Sequence, residues 1–241
     1  MRIAESGDRV LCEGAGGWTI NESDEYAVEQ GVTQKAPLGA TLTALTVGPL
    51  VSQEALYIAL AKGADKAVRI DSDISDPQRL AGVMARAVEK LGYDLILTGV
   101  ESSDYLGAQV GTLLATRMGI ASAYAVTAVE FSPDRKSIRV TKELRGGASQ
   151  YLEMGLPALL SIQYGMHPLS YVSPRRLLSA RSQPQETLTL PELGLDVGGR
   201  PGPFQVLEVG VPQRVRRVKF LEGNSGEVTS QLLGRIRDAI R

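Results

Sequence analysis

Short apolar runs alternate with helix-length amphipathic stretches through the first half of this sequence, and that order admits few architectures. Residues 40–47, ATLTALTV, read as a strand, and Lys66 to Ile70, KAVRI, as a second. Asp94 to Thr98, DLILT, is a third, of the kind buried on both faces. Between the first two lies a helix with Ser52 as its cap, Ala55, Leu56, Ala59 and Leu60 on one face, and Gly63 as its stop. The next helix carries Leu80, Val83, Met84, Ala87, Val88 and Leu91 at i, i+3, i+4, i+7, i+8 and i+11. Ser75 or Asp76 caps it, Pro77 sits in its first turn, and Gly92 ends it. A further helix holds Val110, Leu113, Leu114 and Met118 before Gly119. Strands and helices in this order imply right-handed βαβ units, hence an α/β fold with a mostly parallel sheet flanked by helices.

From Ala123 the pattern changes. AYAVTAVEF and SIRVTKEL flank SPDRK and predict a β-hairpin, and Leu156 to Ile162, LPALLSI, has the continuous apolar character of a strand returning to the main sheet. After Gly165 seven prolines, from Pro168 to Pro212, interrupt short apolar groups, and a last helix aligns Val228, Leu232, Leu233, Ile236 and Ile240. The expected organisation is an α/β domain over 1–165 and an extended C-terminal arm over 166–241 that packs on a partner.

Charge and cysteine content remove several classes of function. The 241 residues carry a formal net charge of −1, so nothing electrostatic recommends nucleic acid or an anionic membrane surface. One cysteine, Cys12, excludes an internal disulfide and a cysteine-based zinc site. No run approaches the roughly 20 apolar residues that span a bilayer, and MRIAESGDRVLCEGAGG lacks the apolar core of a signal peptide. A cytoplasmic location without membrane insertion is the expectation.

Three polar clusters lie where open α/β sheets bind ligands, past the C-terminal ends of strands. They are INESDEYAVEQ (20–30), in which Asn21 or Ser23 would cap a helix, TVGP after Val47, and TGVESSDYLGAQVG (98–111). In the last, Ser102, Ser103 and Asp104 are read as leading into a helix whose free N–H groups suit a phosphate, with Gly99, Gly107 and Gly111 permitting close backbone approach. The plainer reading is a loop with an ordinary N-cap. Asp104 repels a phosphate and is better suited to capping N–H groups or accepting a ribose hydroxyl. Elsewhere the chemistry is thin. GAGG (14–17) lacks the GK[ST] of a P-loop, His167 has no second ligand or triad partner, and Cys12 reads as an inert thiol. Arg175 and Arg176 read as solvated, and Trp18, Tyr26 and Tyr57 as core or rim. No catalytic constellation is expected.

These segments together resemble the β subunits of electron transfer flavoproteins. INESDEYAVEQ is similar to the family's INPFDEYALEE, and ALAKGADKA to its ALAMGADRA turn. DLILTGVESSDYLGAQVG resembles its DLILCGxQxxDxxxxQVG nucleotide loop, with an SSD variant closest to the Fix-type branch. LRGGASQYLEMGLPALLSI matches EGGxExxxxxLPAL, and YVSPRRLLSAR (171–181) resembles YPSLxxIMKAR. The resemblance covers roughly residues 1–181.

The resemblance implies an adenine-nucleotide α-hydrolase-like fold and an electron carrier that is no enzyme on its own. It implies a heterodimer whose α subunit holds the redox-active FAD, with a second nucleotide in the β groove. That nucleotide is AMP in most members and FAD in electron-bifurcating ones, and the SSD loop leans to FAD. Motif matching places the groove at Asn21, Glu22, Ser23, Asp24 and Val47, and along Gly99, Val100, Glu101, Ser102, Ser103, Asp104, Gly107, Ala108, Gln109 and Val110. A flavin dehydrogenase would dock near Tyr171 to Arg181, with Pro174 where the family often has a leucine. The family's opening strand, MKILVxVKQVPD, is expected to be absent from this sequence, NPF is replaced by Asn21-Glu22-Ser23, and DGDTAQ by residues 104–109. A stand-alone nucleotide sensor of the universal-stress type is the alternative, against which stands the absence of G-x2-G-x9-G-[ST]. An ATP-pyrophosphatase would need SGGxDS, also missing.

Overall fold

A computed structural model describes residues 2–3, 10–11, 18–196, 207–210, 218 and 220–240. Cys12 and the GAGG run lie outside the described residues. The chain divides into two compact units, Met1–Gly14 with Val206–Arg241, and Ala15–Gln205. In the first, β1 (Arg2–Ile3) pairs antiparallel with β2 (Val10–Leu11).

The second unit holds the alternating helices and strands. It opens with α1 (Glu22–Leu38), then β3 (Thr43–Gly48), α2 (Gln53–Lys62), β4 (Lys66–Asp71), α3 (Pro77–Leu91), β5 (Leu95–Gly99) and α4 (Val110–Met118). There follow β6 (Ala121–Phe131), β7 (Ser137–Glu143), β8 (Ser149–Gly155), β9 (Ala158–Ile162), α5 (Pro174–Arg181) and β10 (Glu186–Thr189). The first unit contributes α6 (Ser225–Ile240), on which Leu232, Leu233, Ile236 and Ile240 are exposed.

Local chemistry explains most boundaries. Glu22, Asp24 and Glu25 place negative charge in the first turn of α1, where the helix dipole favours it. Asp76 caps α3, accepting from the Arg79 N–H at 2.8 Å, with Pro77 following it. Gly39 and Gly119 end α1 and α4 in the left-handed conformation that L side chains resist. Ser52 differs from its expected role: a short 3-10 turn, Leu50–Ser52, precedes α2, and the Ser52 hydroxyl donates back to the Pro49 carbonyl instead of capping.

Two hydrogen-bonded sheets result. One has the order β10-β4-β3, all parallel, and the other β5-β9-β6-β7-β8. β9 runs parallel to both β5 and β6 and is buried along its whole length, as LPALLSI predicts. The hairpin of β6 and β7 also forms, extended by β8, which periodicity alone does not separate. The boundary expected at residue 165 falls inside the second unit. α5 packs on α2 and buries Ala180, and β10 joins the parallel sheet beside β4, burying Leu188. Leu190 and Leu193 then cover the core formed by Val68, Ile70, Val83 and Ala87. The polar ETLT of β10 carries too little apolar signal to be read as a strand.

Candidate nucleotide-binding site

The C-terminal end of β5 meets the N-terminus of α1, and Asn21 joins them. Its Nδ2 lies 2.8 Å from the Glu101 carbonyl oxygen, 2.8 Å from Asp24 Oδ2 and 2.9 Å from Ser23 Oγ. Its Oδ1 accepts from both the N–H and the hydroxyl of Ser103, each at 2.9 Å. The fully buried Ser23 hydroxyl also donates to the Glu101 carbonyl, and Asp24 Oδ1 accepts from the Gly99 N–H at 2.7 Å. Burial pushes the Asp24 carboxyl above the ordinary carboxylate range, against the pull of its bonds from Gly99 and Asn21. INESD and TGVESS, 80 residues apart, therefore form one polar hinge between helix and strand.

The glycines of this loop serve different ends. At Gly99 a Cβ would lie 2.6 Å from the Asp24 nitrogen and the Ser23 carbonyl carbon, so glycine is required by the helix. At Gly111 it would lie 2.9 Å from the hydroxyls of Ser161 and Thr98, so glycine lets α4 rest on β5 and β9. Gly107 alone of the three faces open space. It is flanked by Leu106 and Ala108, both in the left-handed region at φ 51° and 50°. Two non-glycine residues held there mark a loop whose shape is imposed by its surroundings or by what it binds.

The helix expected at Asp104 begins six residues later, at Val110. Asp104 is exposed and accepts only from the Tyr105 N–H at 2.9 Å, while the left-handed residues interrupt any helical path. It caps nothing. Asp104→Ala is accordingly expected to change stability by less than about 0.5 kcal/mol, as at an ordinary surface position, in a urea titration. Gln109 precedes α4 without a side-chain hydrogen bond to it, leaving the first N–H groups of that helix available.

The remaining sequence-predicted residues divide. Glu22 is exposed, Val100 is buried, and Ser102 Oγ lies 3.4 Å from the Tyr105 nitrogen. The Val47 side chain packs inward on Val68, Ile70 and Val83, so only its backbone can face a ligand. Tyr171, Arg175, Arg176 and Leu178 are exposed around α5, and Arg181 pairs with Glu54 at 2.7 Å over the Tyr57 ring. His167 is bonded to Gln30 at 2.6 Å. Among the described residues no group of three or more His, Cys, Asp and Glu side chains could hold a metal ion. None of their helices is long and apolar enough to cross a membrane.

Two features escaped sequence reasoning. The buried Arg69 binds the Gly48 carbonyl at 2.9 Å and Asp71 at 2.6 Å, tying the ends of β3 and β4. Lys62, its side chain fully buried, lies 2.9 Å from Glu25, 3.0 Å from Glu29 and 2.9 Å from the Ser170 carbonyl. Burial alone would raise the Glu29 carboxyl, but its bonds from Lys62 and from the Ser170 hydroxyl and N–H outweigh this and hold it below the ordinary range. One signal was available for both, a cation set against an apolar run (AVRI, YIALAK).

The electron transfer flavoprotein domain matches residues 8–193 of this chain. The chain belongs to the electron transfer flavoprotein family. It is 29% identical over 224 residues to the electron transfer flavoprotein subunit beta of Methylophilus methylotrophus, covering 90% of this chain and 84% of that protein. Against the subunit beta of Bacillus subtilis (strain 168) the identity is also 29% over 224 residues, with 91% and 86% covered. Protein FixA of Azotobacter vinelandii is 28% identical over 221 residues, with 86% of this chain and 78% of that protein covered. Within the family domain fall both halves of the Asn21 hinge, the loop to Val110, and the strand β10 that completes one edge of the parallel sheet.

Proposed function

We propose that this chain is the β-type subunit of a heterodimeric electron transfer flavoprotein, an electron carrier between a flavin dehydrogenase and an acceptor. A single observation carries the nucleotide part of this reading. The family domain contains a loop, 99–110, whose first half is anchored by Asn21 and whose second half is open at Gly107 beside the unsatisfied N–H groups of α4. Backbone N–H groups at a helix start, approached over a residue with no side chain, suit a phosphate or pyrophosphate. The groove would be lined by Asn21 to Asp24, the backbone at Val47, and Gly99 to Val110.

FAD is the redox group of the complex, held mainly by the α subunit, and its isoalloxazine supplies the electron chemistry when bound. The residues here hold and orient. Ser103 is fixed by Asn21, the small Gly107 and Ala108 leave room for a diphosphate, and this favours a second FAD over AMP in the β groove. The exposed Tyr171, Arg175, Arg176 and Leu178 would meet the dehydrogenase, and the apolar side of α6 the α subunit. A cytoplasmic location goes with this role.

The test is nucleotide content of the complex purified with its α-type partner. Two FAD per heterodimer is expected, whereas one FAD with one AMP rejects the second flavin, and no nucleotide beyond the α-subunit FAD rejects the groove. Gly107→Asp places a carboxylate in the open space without a clash, so it should weaken retention of the β-groove nucleotide about tenfold at an unchanged melting temperature. Undiminished retention would place the phosphate elsewhere.

A further inference from the structure

One helix carries both the nucleotide loop and the segment that leads into α5. At its start, Asn21 and Ser23 bind the Glu101 carbonyl, Asn21 takes both donors of Ser103, and Asp24 takes the Gly99 N–H. Further along α1, Glu29 Oε2 accepts from the Ser170 hydroxyl at 2.9 Å and from its N–H at 3.2 Å. Gln30 Oε1 lies 2.6 Å from His167 Nε2. The helix rise from Asn21 to Gln30 is roughly 14 Å. Lys62, the last residue of α2, closes the join. Its three donors have three partners, Glu25 at 2.9 Å, Glu29 at 3.0 Å and the Ser170 carbonyl at 2.9 Å. At the far end of α5, Arg181 binds Glu54 in the first turn of α2. α5 therefore lies along α2 with its start at Lys62, and the exposed Tyr171 and Leu178 ride on that bed.

These joins are polar where helix packing is ordinarily apolar. Ser23, Glu29 and Gln30 of α1 are 0%, 8% and 1% exposed. Apolar packing is non-directional, whereas a buried hydrogen bond broken by a slide leaves a group with no water to satisfy it. A shift of α1 is therefore passed on at both ends instead of being absorbed. One join is also only half made. Gln30 Nε2 is buried and has no partner among the described residues. A half-turn of the amide, with the other histidine tautomer, exchanges which end is bonded, so this contact has two discrete arrangements.

We propose that α1 couples the nucleotide groove to the docking surface, so that a nucleotide held by the loop 99–110 orders the segment 164–173 ahead of α5. This rests on the groove and docking reading given above. The route runs from the loop through Ser103 to Asn21, along α1, and out through Glu29, Gln30 and Lys62 to His167 and Ser170. Lys62, Glu29 and Gln30 are positioning residues on this route. Coupling of two binding events is reciprocal, so a partner seated on Tyr171 and Leu178 in turn tightens nucleotide retention.

The experiment is amide hydrogen exchange, peptide by peptide, on the complex of the full chain with its α-type partner. The complex is depleted of the groove nucleotide and then supplied with FAD in one arm and AMP in another. The nucleotide that binds should slow exchange about tenfold in 99–110 and about threefold in 164–173, with β4 unchanged. The double variant His167→Ala with Ser170→Ala removes the side-chain links to α5 and leaves the Asn21 hinge intact. In it 99–110 should still be protected and 164–173 should not respond, a separation that a general loss of stability does not produce. Protection of 99–110 alone in the parent complex would overturn the coupling and leave the groove standing. Protection of neither segment would reject the groove, and the coupling with it. An undiminished response of 164–173 in the double variant would overturn the route through α1.

Discussion

Lys62→Met is expected to destabilise the protein by about 3 kcal/mol, because it leaves two carboxylates facing a buried site without their cation. The Lys62 side chain is fully buried, and its ammonium is shared by Glu25 at 2.9 Å and Glu29 at 3.0 Å. Methionine keeps the volume, so the loss comes from uncompensated charge and not from a cavity. The pH dependence separates the two causes. In the parent, the depressed Glu29 carboxyl contributes stability that is present above the unfolded value of about 4.3 and is lost as pH falls through the lower folded value. In the variant, Glu29 keeps its bonds from Ser170 but loses those from the cation, so its contribution to stability above the unfolded value shrinks. The deficit should accordingly be largest at neutral pH and shrink as Glu29 protonates, as read from urea midpoints measured from neutral pH down into the carboxylate range. A deficit independent of pH would mean that packing, not charge, was lost. Because Glu29 also accepts from Ser170 and Lys62 binds the Ser170 carbonyl, the segment leading into α5 should loosen with it.

The order of strands and helices was legible because each central strand is a continuous apolar run and α3 shows a full amphipathic stripe. Elements at the periphery were not. β8 is an edge strand with Tyr151 exposed, and β10 buries only Leu188 of its four residues. For α1, legibility came from the polar residues at its start and from family likeness, since the residues it buries include Ser23, Glu29, Gln30 and Gly31. A helix that buries polar side chains carries no apolar period for a sequence to display. Of the two expected caps, Ser23 lies inside the helix and Asn21 acts differently from a cap. It stands at the N-cap in an extended conformation, yet its side chain serves Glu101 and Ser103 rather than the first N–H groups of α1. Asp104 misled because a serine–aspartate pair before an amphipathic stretch is a normal helix start, and only the backbone shows the left-handed residues between.

Gly99→Ala is expected to cost about 3 kcal/mol, more than overpacking at an adaptable core position, because the added carbon meets backbone. It would lie 2.6 Å from the Asp24 nitrogen and from the Ser23 carbonyl carbon, atoms that cannot rotate away. Relief requires the N-terminus of α1 to move off β5. That movement stretches the 2.7 Å bond from the Gly99 N–H to Asp24 and the bonds by which Asn21 and Ser23 hold the Glu101 carbonyl. Asp24, whose carboxyl burial already raises, would then remain inside without its backbone donor, which adds to the loss. Gly107→Ala supplies the control, since its Cβ meets nothing within 4 Å, and it should be close to neutral. A further variant tests the cause: combining Ser23→Ala with Gly99→Ala removes the nearest side-chain oxygen but neither backbone contact, so it should not restore stability. Equal melting temperatures for Gly99→Ala and Gly107→Ala, or full rescue by the double variant, would show that the helix is not seated on the strand at this point. If the seat is as described, Gly99→Ala should also lower nucleotide retention, because Ser103 depends on the same asparagine that the displaced helix carries.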